Sequence, residues 1–391
     1  MAADLGDRVA SVRKRRGLTQ RELAELSDVS LSLVKKIEQG ERYTIRLETL
    51  RKLAVALRVR TSMLQGDEHD AEHADPQTED LWAPVRRALA GVKDTGPGDE
   101  PVSSAGVQAA IDEIRPLLGT HEYRAIARRL PSIMRDADSL DGEDGRTIRT
   151  RLFGMIGHLL VQNRQFDIAE QTLQRAIDDA TDPREAAAVA NSLAWAMLRQ
   201  GRIAEAESFA VTWADRVEPR FSRATTGELA CWGRLWLYAA NASIRDNVES
   251  RADDALALAR AAAHRIGREV LTDTHTVRAY GPISVAHNTA ETYVLTGRPD
   301  KALAIAQATP APTLQPNGAG RLRHRLDVAS AHAQLDQGTA AVGVMSEIHT
   351  VAPEWLAQQR YARDILGSIV AGRRSLTSEM RELADAIRLE Y

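Results

Sequence analysis

The residues with the clearest chemical potential lie in the stretch LTQRELAELSDVSLSLVKKIEQGER, which spans residues 18–42. Its second half carries two hydroxyl side chains, Ser30 and Ser32, and two adjacent cations, Lys35 and Lys36. On one face of a helix, hydroxyl and ammonium groups could contact the base edges and phosphates of duplex DNA. The same side chains could instead form the solvated face of a small helical bundle.

The order of residue types in this stretch predicts two short helices joined by a tight turn. Thr19 and Glu22 have the spacing of a capping box, which begins the first helix. Asp28 stands where the turn needs a positive φ, which aspartate tolerates better than a branched residue. Ser30 then supplies the cap of the second helix.

The second helix has one apolar face and one polar face. Val34 and Ile37 are spaced to pack inward. Five residues would then point outward: Leu31, Ser32, Lys35, Lys36 and Gln39. A surface helix with this composition favours contact with DNA, because its side chains suit both bases and phosphates.

The whole segment from residue 4 to about residue 64 has helical periodicity and no strand-like alternation. We predict helices near 4–16, 19–26, 30–39, 46–58 and 61–65. Residues 1–66 contain 14 Lys/Arg and 8 Asp/Glu, so this segment is cationic although the whole chain has a net charge of −3. A cationic module is what a phosphate-binding domain requires.

Residues 5–64 resemble the helix-turn-helix of the Cro/cI-like (XRE) family of bacterial and phage regulators, including the IEQGER exit and the LETLRKLAVAL helix that follows. The resemblance implies a five-helix, lambda-repressor-like domain over residues 1–66, with double-stranded DNA as its partner. The matching positions that reach base edges are Ser30, Leu31, Ser32 and Lys36, and those that hold the backbone are Gln20, Gln39 and Arg42. We expect Lys35, Tyr43, Thr44 and Arg46 at phosphates as well. A structural or protein-interaction domain is the alternative.

Residues 67–103 read as a linker with one short helix near 80–90. The stretch DEHDAEHADPQTED (67–80) contains seven acids and no Lys/Arg, and VKDTGPGDEPVSS (92–104) is rich in turn residues. His69 and His73 have an i, i+4 spacing that can bind zinc. Because they lie in a charged linker without a helical core pattern, we expect no metal site there.

The remainder, residues 104–391, contains related helical hairpins. The segments 157–177, 194–214 and 290–310 each join an apolar helix to a second helix with small residues, and 329–349 and 250–263 are weaker copies. The small residues matched between copies are Ala169, Ala206, Ala255, Ala302 and Gly343, at intervals of 37, 49, 47 and 41 residues. These hairpins resemble tetratricopeptide repeats, and the whole chain is therefore predicted to be all-α, with an α-solenoid after the first domain. Ordinary helical hairpins are the alternative.

Within this second region lie the stretches TVRAYGPISVAHNTAETYVLTGRPDKAL (276–303) and RLRHRLDVASAHAQLDQG (321–338). Through them the region is similar to the sensor half of actinobacterial XRE regulators and, more distantly, to peptide-sensing repeat regulators of Gram-positive bacteria. The resemblance implies an inner groove that contains Tyr280, His287 and Arg323. A structural ion pair with Asp327 is the alternative for Arg323. The indole groups of three tryptophans could wall an apolar pocket, although packing in the core is the alternative for them: Trp195, Trp232 and Trp236.

Other classes of protein are disfavoured by what the sequence lacks. The single cysteine, Cys231, excludes an internal disulfide and a multi-cysteine zinc site. No run of about 18 apolar residues and no secretion signal is present, so we expect a soluble cytoplasmic protein without a membrane partner. The chain also lacks a phosphate loop, a dinucleotide fingerprint and a nucleophile elbow, and we expect neither an enzyme nor a cofactor.

The sequence therefore predicts a transcriptional regulator that binds a palindromic operator as a homodimer. A small molecule or peptide in the repeat groove would modulate it. Two alternatives stay open: a scaffold localised to DNA whose repeats bind a partner protein, and a constitutive repressor whose repeats only dimerise.

Overall fold

The computed structural model describes residues 5–42, 45–65, 81–91, 102–272, 278–310, 318–371, 373 and 375–389. These residues form 21 helices and one pair of two-residue strands, which confirms the all-α fold class. Tyr43, Thr44, His69, His73 and most of the predicted linker lie outside the described residues. Within the described part of the chain, no helix has both the length and the apolar character needed to cross a membrane.

The N-terminal domain consists of five short helices. They are α1 (Leu5–Arg15), α2 (Gln20–Ser27), α3 (Leu31–Glu38), α4 (Leu47–Ala56) and α5 (Thr61–Gln65). Their apolar faces enclose one core in which Val9, Leu23, Val34, Ile37 and Leu53 are fully buried. All five predicted helices are confirmed, with ends that differ by no more than two residues from the expected ones.

A short helix, α6 (Ala83–Leu89), follows the N-terminal domain. It packs on the C-terminal domain, where Trp82 and Val85 are buried in the main hydrophobic core. Arg86 also donates a hydrogen bond of 2.8 Å to the side-chain oxygen of Gln165. The core of the C-terminal domain therefore includes residues that precede position 104, the expected boundary.

The C-terminal domain is a stack of antiparallel helix pairs. It begins with α7 (Ser104–Thr120) and α8 (Tyr123–Asp138). The next five pairs are α9 (Gly142–Gln162) with α10 (Phe166–Asp179), α11 (Pro183–Arg199) with α12 (Ile203–Arg216), α13 (Thr226–Arg245) with α14 (Glu249–Ile266), α15 (Pro282–Leu295) with α16 (Pro299–Ala308), and α17 (Gly318–Gln334) with α18 (Gly338–Val351). The last helices are α19 (Pro353–Ala357), α20 (Arg360–Ala371) and α21 (Ser378–Ala386).

The five central pairs share one turn geometry. Each turn contains a single residue with positive φ, namely Arg164, Gly201, Asn247, Gly297 and Asp336. Five positions after it, each second helix buries an alanine: Ala169, Ala206, Ala252, Ala302 and Ala341. The small side chain lets the two helices of a pair approach closely, so the turn and the alanine act together to set the pairing.

This geometry corrects two of the residues that were matched by sequence. Ala252 and Ala341 occupy the shared position, and Ala255 and Gly343 do not. Ala255 is also buried, but three residues further along its helix. A Cβ added to Gly343 would meet no atom within 4 Å, so no close approach depends on that glycine.

Between α14 and α15 the chain forms a small antiparallel ladder, β1 (Val270–Leu271) and β2 (Ala279–Tyr280). The ladder brings the Glu269 carboxylate to the start of α15, where it accepts hydrogen bonds from the backbone N–H groups of Ile283 (2.8 Å) and Ser284 (3.2 Å). Gly281 is required there, because a Cβ would lie 2.4 Å from the carbonyl oxygen of Arg268. The Glu269 carboxylate thus caps the N-terminus of α15, although Glu269 lies outside that helix.

Candidate nucleic-acid interface and central cavity

Local side-chain bonds fix the turn between α2 and α3. The Thr19 hydroxyl accepts from the Glu22 backbone N–H at 3.2 Å, and the Glu22 carboxylate accepts from the Thr19 N–H at 2.7 Å, which confirms the capping box. Asp28 has φ of 52° and ends α2 in the left-handed conformation. The Ser30 hydroxyl accepts from the Leu33 N–H at 3.2 Å and caps α3.

The two faces of α3 are as expected from the sequence. Val34 and Ile37 are completely buried against the domain core. The outward residues are all exposed: Leu31, Ser32, Lys35, Lys36 and Gln39. Since the described structure gives Lys35 and Lys36 no ion pair, their ammonium groups are available to a ligand.

A buried ion pair holds α3 in place. The guanidinium of Arg13 in α1 donates two hydrogen bonds to the Glu38 carboxylate, at 2.6 and 2.8 Å, and the Gln20 amide donates a third at 2.9 Å. Burial raises the pKa of Glu38, but these hydrogen bonds outweigh that effect and leave the pKa below its ordinary value. Glu38 therefore connects α1, α2 and α3 in one charged network.

The residues expected at phosphates have three different environments. Arg42 is exposed directly after α3. Gln20 is half-buried and uses its amide N–H within the domain, on Glu38. Arg46 differs from the expectation, because its guanidinium forms an ion pair of 2.7 Å with Asp364 of the C-terminal domain.

The first helices of the C-terminal pairs surround a central cavity of about 480 Å³. Each inner helix contributes polar and aromatic residues at helical spacing. They include His158 and Gln162 from α9, Trp195 and Arg199 from α11, Arg234, Tyr238, Asn241 and Arg245 from α13, His287, Asn288 and Glu291 from α15, and Arg323, His324 and Asp327 from α17. A cavity of this size can hold a small organic molecule.

One half of the cavity contains paired charges. Glu291 forms ion pairs with Arg245 at 2.6 Å and with Arg323 at 3.4 Å. Arg323 also lies 3.9 Å from the Asp327 carboxylate and above the ring of Tyr361. Burial and the neighbouring Glu291 raise the pKa of Asp327 to about 8.

The histidines of the cavity are neutral at physiological pH. His287 and His324 stack with their ring centroids 3.9 Å apart. Burial lowers the pKa of His287 to about 3 and that of His324 to about 4. His158, whose ring lies 5.0 Å from that of Trp195, has its pKa lowered by burial and then by Arg278, Arg234 and Arg199. The rings can therefore stack and form hydrogen bonds without adding charge.

The structure brings together three of the six residues proposed from sequence for ligand binding. Trp195, His287 and Arg323 line the cavity. Trp232, Trp236 and Tyr280 do not. Trp232 is buried and packs edge-on against Phe221 and Trp236, with ring centroids 5.4 and 5.9 Å apart. Tyr280 is fully buried, and its hydroxyl donates to the carbonyl of Ala259.

Several lining residues were not identified from the sequence, Arg199 and Arg234 among them. The sequence pattern that could have identified them is a series of polar residues at i, i+4, i+7 and i+11 within otherwise apolar helices. In α13 this series is Arg234, Tyr238, Asn241 and Arg245, and a shorter one in α11 is Trp195 and Arg199. Such a stripe on a helix that is apolar elsewhere indicates a polar surface enclosed by the fold.

The N-terminal domain forms part of the cavity wall through Arg46, Leu47 and Glu48. It also docks on the ends of two inner helices. Arg51 donates to the carbonyl of Ile244 at 3.3 Å, at the end of α13, and to that of Leu295 at 2.5 Å, at the end of α15. Nearby, Thr61 and Ser62 bond to residues 245 and 246. The two domains and the cavity are thus connected through α13 and α15.

Comparison with known proteins identifies the N-terminal domain. Residues 9–64 match the family model described as Helix-turn-helix. An immunity repressor protein of Bacillus phage phi105 is 29% identical over 122 residues, which cover 29% of this chain and 84% of the phage protein. The chain therefore has a helix-turn-helix domain at its N-terminus, and α2 and α3 are its two central helices.

A solved structure also aligns with most of the chain. The crystal structure of Bacillus thuringiensis PlcR in complex with the peptide PapR7 and DNA covers 88% of this chain and 99% of its own, with 13% identity and a TM-score of 0.36.

Proposed function

We propose that this chain is a cytoplasmic transcriptional regulator that binds double-stranded DNA through α3 and responds to an effector in the central cavity. The observation that carries the proposal is the exposed polar face of α3 within a domain that matches the helix-turn-helix model. The phage immunity repressor supports the regulatory role. We propose neither an enzymatic activity nor a cofactor for it.

In this proposal α3 enters the major groove with its N-terminus first. Ser32 can bond to either purine or pyrimidine edges, Lys36 suits the O6 and N7 acceptors of guanine, and Leu31 can contact a thymine methyl group. Lys35 and Arg42 contact phosphates, which position the domain without specifying sequence. Arg46 joins them only if its ion pair with Asp364 opens.

One domain of this size contacts a short stretch of groove, so we propose that the regulator is a homodimer on two half-sites about 34–36 Å apart. The mass of the complex with an operator duplex, measured by light scattering, tests this part. Two chains per duplex are expected. A complex with one chain would contradict the dimer without affecting the role of α3.

Substitution of Arg42 by alanine should weaken binding to all DNA sequences equally. The side chain is exposed and sits beside α3, where it would neutralise one phosphate. We expect operator and random duplexes to lose affinity by a similar factor, and the slope of log K against log salt to decrease by about 0.9. Fluorescence anisotropy titrations at several salt concentrations measure both quantities. A change in base preference would contradict a phosphate role.

We propose that effector binding alters the docking of the N-terminal domain. The cavity is lined by α13 and α15, and Arg51 holds the carbonyl ends of the same two helices. A ligand that shifts these helices relative to each other would change the bonds of Arg51. In a dimer the distance between the two α3 helices would change. The ligand would thus shift the population between arrangements that fit the operator and arrangements that do not, and operator affinity would change accordingly.

Substitution of Arg51 by methionine should loosen this docking. Two hydrogen bonds from a charged group to backbone carbonyls are removed, which we expect to weaken docking by about 1.5–3 kcal/mol. Hydrogen exchange should become faster at the amides of Thr61 and Ser62, which donate across the interface to Asp246, while α3 stays protected. Arg60→Met is the control, since Arg60 is exposed in the same segment. Equal exchange in wild type and both variants would mean that Arg51 does not hold the domains together.

A further inference from the structure

The central cavity carries far more positive than negative charge. Among the described residues, nine arginines and four carboxylates line it. The carboxylates are Glu48, Glu291, Asp327 and Asp364, and three of them are already engaged, Asp327 by Arg323. Glu291 is shared by Arg245 and Arg323, and Asp364 by Arg46 and Arg360. The lining arginines therefore outnumber the lining carboxylates.

The excess is located on the side formed by α9, α11 and α13. Arg199 has no hydrogen bond or carboxylate partner among the described residues, and its guanidinium lies 5.3 Å from the centre of the Trp195 ring. Arg234 donates one hydrogen bond, to the carbonyl of Ala279, and its buried Nε has no partner. The Glu269 carboxylate near Arg234 is occupied by the backbone at the start of α15.

His158 lines the same cavity as these arginines. Its Nδ1 is buried and has no hydrogen-bond partner, while its Nε2 is 2.9 Å from the Gln162 amide. The charges of Arg278, Arg234 and Arg199 all act on its ring, so the three guanidinium groups are close to it. The neutral imidazole of His158 and the guanidinium groups of Arg199 and Arg234 therefore line the same cavity.

A guanidinium group without a carboxylate partner is unfavourable where the fold shields it from much of the water. Burial, with the nearby charges of Arg164 and Arg323, lowers the pKa of Arg199 to about 9. A shielded charge without a carboxylate partner is destabilising, and the contact with the Trp195 ring offsets only part of that cost. An anion that enters the cavity would supply the missing partner.

We propose that the cavity binds a small organic anion, whose carboxylate or phosphate group is held by Arg199 and Arg234 beside His158. The stacked rings of His287 and His324 and the indole of Trp195 give the rest of the ligand a flat, uncharged wall. The ligand class is thus a compact anion with a planar or aromatic body. This inference rests on the proposed function only in its assumption that the cavity is the effector site.

The test is direct binding to the full-length chain, measured by titration calorimetry and without DNA. The probes are benzoate and phenyl phosphate, with benzyl alcohol and benzylamine as neutral and cationic analogues. We expect saturable binding of at least one anion and none of the analogues. Arg199→Gln and Arg234→Gln should each weaken binding of the anion by about tenfold or more. This is the effect expected for loss of a charge-assisted hydrogen bond. Arg321→Gln, at an exposed position on α17, is the matched control and should bind like wild type.

Thermal unfolding separates a binding role for Arg199 from a structural one. If the charge is retained for a ligand, Arg199→Met should unfold at a higher temperature than the ligand-free wild-type protein. Addition of the anions should not raise the unfolding temperature of this variant further. An Arg199→Met protein that is less stable than wild type would overturn the inference, as would anion binding that is unchanged in both glutamine variants or absent from the wild type.

Operator binding is measured separately on the ligand-free protein. Loss of the anion site with intact DNA binding overturns only this inference, whereas an intact anion site in a chain that binds no DNA contradicts the proposed function.

Discussion

Replacement of both Lys35 and Lys36 by alanine is expected to reduce operator affinity by about 2–4 kcal/mol, or roughly 30- to 1,000-fold. Lys36 supplies a base-edge contact, for which a good bidentate pair is typically valued at about 1–3 kcal/mol. Lys35 supplies a phosphate contact that is independent of sequence. Both ammonium groups are exposed on α3, so the substitution removes contacts to DNA without opening the core.

The two lysines should be separable in single variants. Lys36→Ala should relax preference at one base position, whereas Lys35→Ala should lower affinity for all duplexes and reduce the salt dependence. Lys301→Ala, in the C-terminal domain, is the control for loss of one positive charge. Anisotropy titrations with the operator and a scrambled duplex distinguish these outcomes. Unchanged operator affinity in the double variant would exclude α3 as the recognition helix.

The largest effect on stability is expected from Glu38→Ala. The variant leaves the Arg13 guanidinium buried without its carboxylate, because the two side chains are only 6% and 11% exposed. Removal of one partner of a buried ion pair typically costs about 3–5 kcal/mol, which is a large fraction of the stability of a small domain. Thermal unfolding followed by circular dichroism should show the N-terminal domain melting before the rest of the chain.

Glu25→Ala is the matched control. Glu25 also pairs with an arginine, Arg21 at 3.0 Å, but both side chains are more than half exposed. Such a surface pair is typically valued at no more than about 1 kcal/mol. If Glu38→Ala and Glu25→Ala were equally stable, the network around Glu38 would not hold the three helices together.

The same network gives the stability of the N-terminal domain a pH dependence. The pKa of Glu38 is lower in the folded state than its ordinary value. Its contribution is therefore complete above the unfolded pKa of about 4.3 and is lost as the pH falls through the folded pKa. Acid should destabilise wild type in this range more than Glu38→Ala, and parallel acid titrations of the two proteins would show the difference.

The helix-turn-helix domain was predictable because its signals are local. The bonds of Thr19 and Ser30 and the positive φ of Asp28 involve residues within four positions of each other, and each could be inferred from residue types alone. Arg46 was assigned to DNA because it follows α3 closely in sequence. Its partner, Asp364, is more than 300 positions away, and no local pattern indicates that contact.

In the C-terminal domain the helix pairs were predictable but their register was not. Alanine is so frequent in the second helices that the sequence alone cannot tell whether Ala252 or Ala255 occupies the position shared by the pairs. The turn geometry at Asn247 shows that it is Ala252. The central cavity was missed for a different reason. Arginine is a residue type that usually lies at the protein surface, so the sequence gives no reason to place Arg199 in a cavity. Its position there depends on the stacking of five separate helices.

Trp232 and Tyr280 illustrate the same limit for aromatic residues. Their types suit a binding pocket and a core equally well. A Cβ added to Gly233 would lie within van der Waals overlap of the Tyr280 ring, and this close approach places Tyr280 in the core. Only the packed structure contains that information.

The central claim is that α3 reads a specific DNA sequence, and selection of random duplexes by the purified full-length chain tests it most directly. We expect enrichment of one motif with two symmetric half-sites about one helical turn apart, and loss of that enrichment in the Lys35→Ala/Lys36→Ala variant. A library that stays random after repeated selection, or a double variant that enriches the same motif equally well, would contradict the claim.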